Sequence, residues 1–217
     1  MVQINGIVNE YIHVEKPDQE AVPSRQFDIS KIDFDLLSRE FAHTRWKNLL
    51  LRDLDELVNQ QLAKMLFANP QRMDYYDRYQ EIIDAYNAEQ NRATIEKTFM
   101  DLMELASSLD TEQQRYVREG FSSDEELSVY DLLFSENLTK QEIETIKKVS
   151  VDLLTKIKQQ IAKLDHWTDK QETKAIVDNL IRNTLWQELP NSYDVSDIQT
   201  YQKKIYEYVY MRYPEVA

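Results

Sequence analysis

Three histidines, His13, His43 and His166, are the side chains whose protonation or lone pairs could do chemistry near neutral pH, and they lie far apart in a chain without cysteine. No HExxH pair joins them, so surface or core roles are expected for all three and no metal site. Serine and histidine are both present, yet a GxSxG nucleophile turn cannot be built, because Gly6 and Gly120 are the only glycines. The same scarcity excludes GxxxxGK[ST] and GxGxxG loops, in which clustered glycines let backbone amides approach a phosphate closely. No catalytic residue, metal or cofactor is therefore expected within this chain.

Glu172-Thr173-Lys174 spells the ExK half of a nuclease motif, in which a carboxylate holds Mg²⁺ and the lysine steadies charge at the attacked phosphate. That chemistry needs a β-strand beside an earlier aspartate, whereas these residues open a helix, so they read as a solvated helix face. A second group is cationic. Lys140, Lys147 and Lys158, at offsets 0, 7 and 18, fall on one stripe of a long helix, with Lys148 nearby. Together with Lys170, Lys174 and Arg182 they are the candidate contacts to duplex DNA, the alternative being the wet face of an amphipathic helix. A third group is aromatic. In the last helix Ile198, Tyr201, Ile205, Tyr208 and Val209 make a core stripe, while Tyr206, Tyr210 and Tyr213 make a second stripe about 120–180° away. This second stripe is the candidate subunit interface, with burial between two helices of the same domain as the alternative. Tyr75, Tyr76, Tyr79 and Tyr86 read as aromatic packing inside the domain.

The elements that must position these groups are helices. Residues 1–30 contain Pro17 and Pro23 and lack helical periodicity, so they read as an irregular extension or linker with at most one short strand. From there on, over 31–217, apolar residues recur three and four apart. The spacing predicts helices near 32–42, 50–68, 73–90, 93–108 and 111–119, with Pro70 stopping the second and Gly120 the fifth. Capping boxes at Ser123-x-x-Glu126, Thr139-x-x-Glu142, Thr168-x-x-Gln171 and Ser196-x-x-Gln199 predict four further starts. The longest helix, about 140–164, places Ile143, Ile146, Val149, Leu153, Ile157, Ile161 and Leu164 on one face and is the expected centre of packing. The fold class is thus all-α, a multi-helix, bundle-like domain. Two glycines and five prolines also argue against hairpin-rich β architecture.

Charge narrows the partners. Residues 140–217 carry 12 of the 26 basic and 12 of the 39 acidic side chains, so the whole formal charge of −13 resides in residues 1–139. Contacts to nucleic acid are therefore sought in the C-terminal third. Hydrophobic residues at 42% with charged residues at 30% fit a water-soluble domain, and no run is apolar and long enough for a membrane span. Met1 to Gly6 shows neither a positive start nor a following apolar run, so no signal peptide is expected, and the lack of cysteine fits a reducing cytoplasm.

The run Asn69-Pro70-Gln71-Arg72-Met73-Asp74-Tyr75-Tyr76-Asp77-Arg78-Tyr79-Gln80-Glu81-Ile82-Ile83 resembles a segment of the C-terminal region of type I restriction enzyme R (restriction, or motor) subunits. Ile32-Asp33-Phe34-Asp35-Leu36-Leu37, Leu62-Ala63-Lys64-Met65-Leu66, Glu112-Gln113-Gln114-Arg115, Leu138-Thr139 and His166-Trp167-Thr168-Asp169-Lys170 are similar to that family too, as is the stretch from Ala175 through Leu189-Pro190 to Tyr208 and Tyr210. The resemblance covers about residues 30–213 and implies a helical end piece of a subunit whose other parts hold an Mg²⁺-dependent nuclease and an ATP-driven translocase. It implies docking on the modification (methyltransferase) and specificity subunits and contact with the remainder of the R subunit. Contact with double-stranded DNA is the alternative role. ATP and Mg²⁺ would belong to the missing parts of the parent subunit, an ATP-dependent type I site-specific deoxyribonuclease.

Overall fold

A computed structural model describes residues 32–89 and 91–214 of the chain; the extension expected at 1–30 lies outside them. The described residues are all-α, without a strand. In chain order the helices are α1 (Phe34–His43), α2 (Lys47–Ala68), α3 (Met73–Ala88), α4 (Arg92–Gln113), α5 (Arg115–Arg118), α6 (Asp124–Leu133), α7 (Lys140–Ile161), α8 (Gln171–Glu188) and α9 (Val195–Arg212), with a 3₁₀ turn at Pro70–Arg72 between α2 and α3.

Local chemistry accounts for most of the boundaries. Asp33 caps α1 by accepting from the Leu36 amide, and Asn91 caps α4 by accepting from the Thr94 amide. Pro70 cannot continue α2, and the Asn69 side chain accepts from the Gln71 amide to start the 3₁₀ turn. Thr139 and Glu142 form a reciprocal box at the head of α7. Ser123 accepts from the Glu126 amide as expected, while Glu126 reaches back to the amide of Ser122.

Of the other two expected boxes, one is replaced by a box at neighbouring residues and one does not form. The head of α9 lies earlier, where Asp194 and Asp197 cap each other's backbone, so Ser196 is already inside the helix. Lys170 precedes α8 without a side-chain cap, and the Thr168 hydroxyl instead donates to the Pro214 carbonyl. The break expected near residue 110 is absent as well. Leu109 and Glu112 are both buried, so packing carries α4 through Asp110-Thr111 to Gln113.

Two apolar cores result, and no side chain belongs to both. In the first, α4 packs against α2 and α3. Leu54, Val58 and Leu62 of α2 and Phe99, Leu102 and Leu105 of α4 share this core, and Phe41 of α1 stacks on Phe99 with ring centroids 3.6 Å apart. Half-buried Tyr75, Tyr76 and Tyr86 line the same core, as the aromatic pattern of α3 predicts, and the Tyr79 hydroxyl donates to Asp55 at 2.8 Å. In the second core α7 packs against α6 and α8, and α9 against α8 and α6. Ile146, Leu153, Ile157 and Ile161 supply the α7 stripe, Val177, Ile181 and Leu185 that of α8, and Ile198, Ile205 and Val209 that of α9. The Tyr193 hydroxyl, buried in the α8–α9 connection, donates to the Leu133 carbonyl at 2.6 Å.

The cores are consecutive in sequence, Phe41 to Leu109 and Phe121 to Val209, so the chain passes between them once. That passage is α5 with its flanks. It ends at Gly120, whose φ of +84° favours a residue without Cβ.

Replacing Asp194 by Ala removes the cap of α9 and should lower stability by about 1 kcal/mol in chemical denaturation, whereas Ser196→Ala should stay within about 0.5 kcal/mol. A larger loss from the serine would relocate the helix start. Leu153→Ala, fully buried in the α7 stripe, should lose about 2–5 kcal/mol by the same measurement.

Candidate interaction surface

The surface around α9 is organised by one buried indole. Residues 162–170 turn the chain from α7 into α8, and His166 takes a positive φ of 46° there. Beside it the Trp167 side chain is buried to 1% exposure. Its Nε1 donates to the Tyr213 carbonyl at 2.6 Å, and its carbonyl accepts from the Thr173 hydroxyl of α8 at 2.7 Å. The residue is thereby tied to α8 through its backbone and to the end of α9 through its indole.

Tyr206 and Tyr210, one helical turn apart, each present a ring edge-on to Trp167, at 6.2 and 5.7 Å, and stack on each other at 6.1 Å. Lys174 of α8 lies over the Tyr210 ring at 5.7 Å. Burial pushes the Tyr206 phenol above its ordinary range, and the nearby Asp178 carboxylate and Tyr210 add to this. Both rings remain half-exposed. They form a braced aromatic edge with one side in the core and the other in solvent.

Tyr213 stands apart from this pair. Helix α9 ends at Arg212, and Tyr213 has left helical geometry with φ −126° and ψ 54°, so a count of about 100° per residue no longer places its side chain. Its ring meets Tyr208 edge-on at 6.4 Å, and Lys158 lies over it at 5.4 Å. Only its backbone carbonyl joins the Trp167 cluster.

The candidate cations are dispersed. Lys147 donates to both the backbone carbonyl and the carboxylate of Glu119 at 3.0 Å. Lys158 is paired with Glu125, whose carboxyl is held below its ordinary range because this pairing outweighs the effect of burial. Arg182 donates to Asn179 at 2.7 Å, Lys174 is occupied by Tyr210, and Lys140 and Lys170 sit exposed at the heads of α7 and α8. Glu172, Thr173 and Lys174 open helix α8. His43 ends α1, His166 lies 2.6 Å from Asp165, and His13 is outside the described residues. Among the described residues no group of three or more His, Cys, Asp or Glu side chains could hold a metal ion.

A polar cluster to which the sequence pattern assigned no role lies where the two cores meet. Arg72, only 3% exposed, donates from Nε to Glu112 at 3.0 Å and grips Asp124 with two bonds of 3.0 and 2.6 Å. Arg115 bonds Glu112 at 2.8 Å and pairs with Asp131, which also accepts from the Asn69 amide at 2.6 Å. Ser128 donates to the Ala68 carbonyl at 3.0 Å. Burial alone would lower the Arg72 guanidinium, but Asp124 and Glu112 hold it above its ordinary range. Burial pushes the Asp131 carboxyl up although Arg115 and Asn69 oppose the shift, so the desolvation of that pair falls on the acid. Asn69, Arg72, Glu112 and Arg115 stand within the family-like segments, yet pairing across dozens of residues leaves no periodic trace in a single sequence.

Comparison with the curated proteins and with the solved structures returned no match. Comparison with protein families matched residues 17–213 to the family described as the type I restriction enzyme HindI endonuclease subunit-like C-terminal domain. That match spans nearly the whole chain, including the polar cluster and the braced aromatic edge, and the chain belongs to this family of C-terminal domains of type I restriction endonuclease subunits.

Proposed function

We propose that this domain is a non-catalytic assembly module that fastens the ATP-dependent endonuclease and motor subunit of a type I restriction enzyme to its methyltransferase core, in the cytoplasm. The observation that carries the reading is the braced edge of Tyr206 and Tyr210. Interfaces that persist are anchored by large, rigid, amphipathic side chains near their centre. Here two such rings are held by Trp167, so little side-chain entropy remains to be lost on docking. Tyr213 supports the edge through its carbonyl bond to Trp167.

The charge arrangement supports protein docking over phosphate contact. Lys147 and Lys158 already face Glu119 and Glu125, and neutralised lysines release few counterions from DNA. ATP hydrolysis and Mg²⁺-dependent cleavage then fall to other parts of the parent subunit.

The test is co-purification of the methyltransferase core, its modification and specificity subunits together, with chains carrying Tyr206→Ala and Tyr210→Ala. Affinity should fall by roughly tenfold or more, as expected for aromatic anchors, with helicity kept and the loss insensitive to salt between about 50 and 200 mM. A folded double variant that binds the core as tightly as the parent removes the assignment. Capture that weakens steeply with salt and needs duplex DNA points to Lys140, Lys170, Lys174 and Arg182 instead.

A further inference from the structure

The way the two cores are joined carries an inference of its own. Hydrophobic packing inside each core is continuous, yet among the described residues no buried or partly buried apolar side chain belongs to both. Between α2 or the 3₁₀ turn and α6, the junction consists of directional polar bonds: Arg72 to Asp124, Asn69 to Asp131, and Ser128 to the Ala68 carbonyl. Further contacts among the described residues lie outside that set, such as Arg115, just past Gln114, on Glu112 at 2.8 Å and the Arg212 guanidinium of α9 over the exposed Phe67 ring of α2 at 4.8 Å.

The chain's single passage between the cores is divided in the same way. Gln113 is tied to the first unit by Gln61 at 3.1 Å, while Tyr116 packs on the second core and Glu119 is held by Lys147 of α7. Gln114 lies between these attachments, outside helical geometry with φ −92° and ψ 1°.

We infer that the domain is a latched two-unit hinge, pivoting at Gln114 and held shut by the Arg72–Asp124 and Asn69–Asp131 bonds. The physical reason is the difference between apolar and polar interfaces. Opening an apolar interface exposes surface that water does not welcome, whereas opening a polar one trades each bond for a bond to water. A closed polar interface, however, fixes one relative orientation, because a two-pronged guanidinium–carboxylate pair tolerates little rotation. Such a junction has two defined conditions, shut at one angle or released, as hinge-type domain motion requires. The inference goes beyond the docking role and does not depend on it. If the docking role holds, release lets the motor subunit move relative to the core without detaching.

The experiment uses the full chain, which has no native cysteine, with spin labels on Ala85→Cys in α3 and Gln199→Cys in α9, both exposed. Electron–electron distance measurement needs no partner, so its outcome is independent of the docking test. The parent should give one narrow distance distribution. Arg72→Gln removes the two-pronged bond to Asp124 that fixes the angle, leaving only the single-pronged Asn69–Asp131 bond and the short-range Arg115–Glu112 pair, and should broaden the distribution to roughly twice its width with helicity unchanged. If Arg72→Gln does not fold, Asp124→Asn, at a partly exposed position, decides by the same width. A folded variant with the parental width overturns the hinge.

Discussion

A guanidinium can be taken out of water only where carboxylates meet it in good geometry, and the burial of Arg72 imposes that demand on the middle of this domain. Three distant stretches must converge to satisfy it. The 3₁₀ turn at Pro70–Arg72 brings the arginine, the last turns of α4 bring Glu112, and the head of α6 brings Asp124. Each arrival has a visible local cause. Pro70 ends α2 where Asn69 can cap the turn and also reach Asp131. Helix α4 runs through a sequence that suggests a break, which places Glu112 where both Arg72 and Arg115 reach it. A hydrophobic pair at this site would pack without fixing direction; the charged cluster admits one arrangement of the two cores.

The apolar half of the fold was legible in the sequence because burial of helices leaves a period. The stripes of α2, α4, α7 and α9 could be written down from spacing alone, and the core residues of α7 fall where that spacing puts them. Legibility fades where position depends on a partner distant in sequence. Ser196 and Asp194 are both competent caps, and which one starts α9 depends on where the α8–α9 connection is pinned, by the buried Tyr193 among others. Tyr213 left its stripe because the helix stopped one residue earlier. Lys147 and Lys158 looked free because Glu119 and Glu125 lie 28 and 33 residues away. The Arg72 cluster was the least visible feature, since a buried ion pair obeys no periodicity.

Charge asymmetry takes on a clearer meaning in the fold. Residues 1–139, which carry the net negative charge, contain the whole first core, the connection and helix α6 of the second, while the C-terminal helices are balanced. Part of that acid is committed inside the molecule. Glu112, Asp124 and Asp131 face arginines at the junction, and Glu119 and Glu125 face lysines of α7. The lysine stripe of α7 is thus partly an internal counterpart of the acidic segment before it, which weakens the simplest electrostatic argument for phosphate binding.

Two kinds of contact in this domain therefore do different physical work. The Trp167 cluster is stiff because aromatic edges and a short indole bond fix the rings, and a stiff surface gives up little entropy when a partner covers it. The junction between the cores is orientation-selective because its bonds are directional, and water can replace them when it opens. The aromatic edge lies wholly on the second unit, on α9 with Trp167 and Lys174 behind it. Docking at that edge would hold one unit and leave the other tied through Arg72. An attachment built this way keeps its grip while the far unit changes angle, because the contacts that make the grip and those that set the angle share no residue.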